Sequence, residues 1–90
     1  MSKLFYLCME IDEIQRKIGE NIRGIRLKLG LTQQQVCTDQ IGMRTFQKIE
    51  GGEANLTLRS LLIIAHRMKV HPKIFFDFPM PLAESQREDE

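Results

Sequence analysis

The sequence predicts an all-α fold, one small domain of about five helices. Three observations point there. Apolar residues recur at steps of three and four along two stretches, Ile11 to Leu29 and Leu58 to Met68. Between them lie two short helical segments, Thr32–Cys37 and Met43–Glu50, separated by Gln40-Ile41-Gly42. Helix punctuation stands at the joints: Gly30, Gly51 and Gly52 as stops, Thr32, Thr57 and Pro72 as starts. Ninety residues make one domain with a modest core. With 42% hydrophobic and 28% charged residues, the composition excludes disordered and collagen-like chains.

The first helix carries Ile11, Ile14, Ile18, Ile22, Ile25 and Leu29 as one stripe. Asp12 and Glu13 suit its beginning, Lys28 its end, and Gly30 a left-handed stop. Gly19 and Gly24 permit close packing or a break, so the stretch reads as one helix or two. Residues 1–10 form an arm whose Leu4, Phe5, Tyr6 and Leu7 suit a short strand, a helical turn or a pairing segment.

Thr32 with Gln35 makes a capping box for a second helix, Gln33 to Thr38 or Asp39, with Val36 and Cys37 inward. After the turn, a third helix from Met43 to Glu50 buries Phe46 and Ile49 and leaves a polar, partly basic face outward. That pair of helices has the layout of a helix-turn-helix, which seats its second helix in the DNA major groove. Thr57 caps a fourth helix whose stripe is Leu58, Leu61, Leu62, Ala65 and Met68, widened by Ile63 and Ile64. Pro72 opens a short fifth helix to about Phe76. The domain is expected over residues 11–82, followed by an acidic, mobile tail at 83–90.

The net charge is only +1, but it is unevenly spread. Residues 16–48 hold seven basic side chains against two acidic ones, while the segments on either side are each net negative. Such asymmetry suggests one polyanion-facing side. No apolar run approaches the ~20 residues that span a membrane, and the opening nine residues are too short for a signal peptide. Two cysteines favour a reducing compartment, and a cytoplasmic protein is expected. Cys37 reads as small buried core. His66 and His71 lack a third ligand, so no metal and no cofactor are expected. Nothing among Ser, His and Asp forms an ordered constellation, so no enzyme is expected.

Laid out in order, the chain resembles the Cro/C1-type (XRE-like, lambda-repressor-like) helix-turn-helix family over about Ile18 to Phe78. The landmarks are Ile18-Gly19-Glu20-Asn21-Ile22-Arg23, Ile25-Arg26 before Gly30-Leu31-Thr32-Gln33, and Phe46-Gln47-Lys48-Ile49-Glu50-Gly51-Gly52. The loop Ala54-Asn55-Leu56-Thr57-Leu58 and Val70-His71-Pro72-Lys73 complete them. The resemblance implies a compact five-helix domain that binds double-stranded DNA, usually as a dimer, in a transcriptional regulator. By that likeness Met43, Arg44 and Gln47 face bases. Thr32, Gln33, Thr45, Lys48 and Asn55 meet the phosphate backbone, and Arg26 pairs with Glu50. The chain departs from the pattern by one residue between Cys37 and Glu50. Gln40 stands about where a turn glycine is common, and Gly42 where a Ser or Thr cap is common, which leaves the register of Met43 and Arg44 open by one position.

The chemistry of these residue types agrees with the roles. A guanidinium fork such as that of Arg44 matches guanine O6 and N7, and a glutamine amide such as that of Gln47 matches adenine. Lys48 suits a phosphate better than a base. Met43 contacts a thymine methyl or packs. Phe75, Phe76 and Phe78 close the core or form a homodimer interface, which would set two reading helices about 34 Å apart on a pseudo-palindrome. The rival reading is an antitoxin-like module whose main partner is another protein, with residues 1–10 and 74–90 as its arms.

Overall fold

The computed structural model describes the backbone of residues 3–53 and 56–79 and the side chains of residues 11–53 and 56–79. These described residues form four α-helices and one 3-10 helix, with no strand among them. The α-helices are α1 (Lys3–Lys28), α2 (Gln33–Val36), α3 (Met43–Glu50) and α4 (Leu58–Met68), and the 3-10 helix spans Pro72–Phe76. Asn55 and the tail at 83–90 lie outside the described residues.

α1 is a single helix, not two, and it runs unbroken from Lys3 through both internal glycines. Ile18 and Ile22 are buried, while Ile14 and Ile25 are partly covered. The two ends of the anticipated stripe, Ile11 and Leu29, are exposed. Gly30 ends α1 with φ of 74°, the Leu31 N–H reaching the Arg26 carbonyl and the Gly30 N–H the Leu27 carbonyl, each at 3.0 Å.

Gly19 decides how α1 meets α3. A Cβ there would collide with the Ile49 carbonyl oxygen and come within 3.0 Å of that of Glu50, so the two backbones touch at this crossing. Gly24 has open space around it and no such role. Residues 19 and 26 are two turns apart on one face of α1, so the crossing that Gly19 permits also brings Arg26 alongside the end of α3.

α2 is a single turn, shorter than the sequence suggested. Thr38 is the reason. Its hydroxyl accepts the N–H groups of Gln40 and Ile41 at 3.1 Å each, and its own N–H donates to the Ile41 carbonyl at 2.9 Å. The side chain thus competes with the helix for backbone partners and starts the turn early. The turn also points Ile41 inward, where it is buried with Val36, Phe46 and Ile49.

α4 contributes Leu61, Ile64, Ala65 and Met68 to the core. Leu58 and Leu62, expected on its inner stripe, are exposed; Ile64 takes the central place. The helix closes on Lys69 in the left-handed conformation, φ 60°, with Val70 N–H bonded to the Ala65 carbonyl. The 3-10 helix lays Phe75 into the core at zero exposure. Asn21 anchors it, donating from Nδ2 to the carbonyls of Ile74 and Phe75 at 3.1 Å each. Phe75 is therefore core and has no surface to give a dimer interface; of that trio only Phe76 is exposed, and Phe78 is half-buried.

Candidate nucleic-acid interface

α3 is held by one side and free on the other. At about 100° per residue, Phe46, Ile49 and Glu50 fall within one third of the helix circumference, and all three are buried. Arg44 and Lys48 lie diametrically opposite, with Gln47 beside them and Met43 and Thr45 on the two shoulders. All five outward side chains are exposed. Gly42 precedes the helix with no side-chain cap, so nothing bulky covers the first turn that carries Met43 and Arg44.

Beneath this face sits a buried ion pair. Arg26 Nε donates to Glu50 Oε2 at 2.6 Å and Nη2 to Oε1 at 3.2 Å, a two-pronged contact. A third donor, Arg26 Nη1, reaches the Leu31 carbonyl at 2.9 Å. Both residues are buried, so the charges neutralise one another out of water. The pair locks the C-terminal turn of α3 to α1 and to the loop that leads into α2.

Gln33 extends the network outward. Its Nε2 donates to Glu50 Oε1 at 2.9 Å, and its Oε1 accepts from Gln47 Nε2 at 3.3 Å. The side chain expected at a phosphate is thus turned along the protein and braces Gln47. For an anion Gln33 keeps the second hydrogen of its amide and its backbone N–H, which sits in the first turn of α2 without an intrahelical acceptor. Thr32 is committed in the same way. Its hydroxyl accepts the Gln35 N–H at 3.2 Å, and the Gln35 side chain accepts the Thr32 N–H at 2.7 Å. The same hydroxyl donates to Gln35 Oε1 at 3.3 Å, so the O–H that the resemblance assigned to the backbone of DNA is turned onto Gln35.

A shallow recess opens beside Gln47, lined by Arg16, Glu20, Arg23, Gln33, Gln47 and Glu50. Arg16 is bridged to Glu20 at 2.7 Å and to Glu13 at 3.4 Å. Arg23 is exposed and has no ion-pair partner among the described residues. Sequence reasoning did not single out Arg23. Its signal was only the local excess of positive charge, and nothing in the spacing tells that the α1 surface at this point adjoins α3. Arg67, also unassigned, donates from Nη2 to the Gln35 carbonyl at 2.7 Å and ties α4 to α2.

Cys37 is partly covered and free. Burial pushes its thiol above the ordinary value, the Glu50 carboxylate adds to that, and the Arg67 guanidinium pulls part of the way back. Such a thiol is a poor nucleophile at neutral pH. Among the described residues no group of three His, Cys, Asp or Glu is placed to hold a metal ion. No described helix is long and apolar enough to cross a membrane.

Comparison with family models, curated proteins and solved structures returns no match.

Proposed function

We propose that the chain is a sequence-specific DNA-binding regulator with a lambda-repressor-like helix-turn-helix, acting as a homodimer on a pseudo-palindromic operator. One observation carries the reading: α3 is pinned from behind by Phe46, Ile49 and the Arg26–Glu50 pair, while Arg44, Gln47 and Lys48 point away from the chain. A rigid helix with a free polar, cationic face is what major-groove reading requires. Arg44 reads guanine, Gln47 is held by Gln33 for a base edge, and Lys48 with Thr45 meets phosphate. Met43, exposed in the first turn of α3, contacts a thymine methyl. Arg23 lies in the recess next to α3 and adds a phosphate contact.

Selection from a pool of random duplexes tests this. The purified protein enriches a two-fold symmetric sequence with a guanine in each half-site, and Arg44→Ala loses preference at that guanine. Failure to enrich any sequence over the starting pool contradicts the reading.

A second reading has its own observation. Leu58 is 72% exposed and Leu62 46%, one turn apart on α4, with Arg59 and His66 on the same surface. An apolar pair of that kind fits a protein partner, in a module that neutralises or recruits another protein. Binding to that partner would then survive Arg44→Ala and fall with Leu58→Glu.

A further inference from the structure

α4 has an inner and an outer face. Leu61, Ile64, Ala65 and Met68 are buried, and the helix packs on α2 and the 3-10 helix. The outer face is built of two neighbouring rows. Leu58, Leu62 and His66 stand one turn apart in the first, and Arg59, Ile63 and Arg67 in the second. All but Ile63 are exposed. Between this face and the turn at 38–40 lies an open cleft of about 580 Å³.

The charge on the outer face of α4 has one sign. The helix contains no Asp or Glu. Neither Arg59 nor Arg67 has an ion-pair partner among the described residues. Arg67 is already steered: its bond to the Gln35 carbonyl at 2.7 Å spends one N–H and holds the guanidinium at the cleft. The one carboxylate in the lining is Asp39, at the turn.

Such a surface selects among occupants. A second copy would bring the same cations against Arg59 and Arg67. A phosphate strand would answer the arginines and leave Leu58 and Leu62 in water. A purely apolar segment would cover the leucines and strand the two charges. We propose that the outer face of α4 docks an acidic amphipathic helix of another protein. The apolar side of that helix covers Leu58, Leu62 and Ile63. Its carboxylates reach Arg59 and Arg67, which stand roughly 12 Å apart along the α4 axis, just over two turns of either helix. The preset guanidinium of Arg67 lowers the ordering cost of that contact. None of the outward side chains of α3 lines the cleft, so occupancy leaves Arg44, Gln47 and Lys48 free. The proposal rests on the protein-partner reading and adds the partner's chemistry.

Three four-turn helical peptides test it, each with leucines at alternating steps of three and four and every other position Glu, Gln or Lys. Each is titrated into the isotope-labelled full chain and followed by amide chemical shifts. The Glu peptide binds and moves the amides of 58–67 and 38–40 while those of 43–48 stay in place. The Gln peptide binds about threefold more weakly and the Lys peptide about tenfold more weakly. Leu62→Glu abolishes binding of the Glu peptide, and Arg59→Gln weakens it about threefold. Both residues are exposed, so both variants keep a cooperative thermal melt. Arg59→Gln leaves the affinity for duplex DNA unchanged. Equal binding of all three peptides overturns the acidic partner and leaves the protein-partner reading standing; binding by none contradicts both. Shifts confined to 43–48 mark a polyanion lodged on α3 and overturn the proposal. So does a loss of duplex affinity in Arg59→Gln as large as its loss of peptide affinity.

Discussion

Glu50 carries a charge into the interior because donors meet both of its oxygens: Arg26 through Nε and Nη2, and Gln33 through Nε2. Removing Arg26 leaves the carboxylate buried and unpaired. Arg26→Ala should therefore cost about 3–5 kcal/mol in urea unfolding, whereas replacing both partners together with Met and Leu should cost much less. The two internal glycines of α1 make an opposite pair. Gly19→Ala places a methyl on the α3 backbone and destabilises by roughly 1–3 kcal/mol, while Gly24→Ala meets nothing and stabilises by about 1 kcal/mol. Thermal melts of the two variants should move in opposite directions. At Cys37, burial and the neighbouring Glu50 favour the protonated thiol, so alkylation near pH 7.5 should run slower than for an unfolded control. Raising the pH should speed that reaction only above the range in which an ordinary cysteine titrates.

At the scale of elements, punctuation was the legible part. Gly30, Thr32 with Gln35, Thr57 and Pro72 each sit at the boundary that their chemistry implies, since caps act through residues next to them in sequence. Faces were less legible. The stripe on α4 was rotated: Leu58 and Leu62 face solvent and Ile64 faces inward, because an apolar run of Leu61 through Ile64 fits two azimuths equally well. Ile41, placed in a turn, became a core residue, since the Thr38 hydroxyl bends the chain and aims it inward. The site divided along the same line. That Phe46 and Ile49 face inward and Arg44 and Gln47 outward follows from period alone. The turning of Gln33 onto Glu50 and Gln47 does not, because those residues meet only through the packing of α2 against α3. Gln33→Ala should then act through Gln47. It is expected to weaken preference at the base Gln47 reads while leaving the salt dependence of binding unchanged, as measured on duplexes differing at that base.

Across the whole molecule, charge and shape are organised by α1. Its middle supplies the ion pair and the crossing that fix α3, and its surface carries Arg23 beside the recess. A net charge of +1 is thus compatible with a cationic face, because the acidic residues are concentrated toward the two ends of the sequence. On the proposed reading, affinity depends on phosphate contacts and discrimination on Arg44 and Gln47, and the two are separable. Lys48→Ala should weaken binding to all sequences alike and reduce the salt slope by about 1. The most direct measurement is the affinity for the enriched duplex and for a random duplex across a range of salt concentrations, for wild type and Arg44→Ala. The account predicts log K falling linearly with log salt, by about 0.9 per phosphate contact, and a loss of roughly 1–3 kcal/mol for Arg44→Ala on the enriched duplex alone. A flat salt dependence, or equal losses on both duplexes, would contradict it.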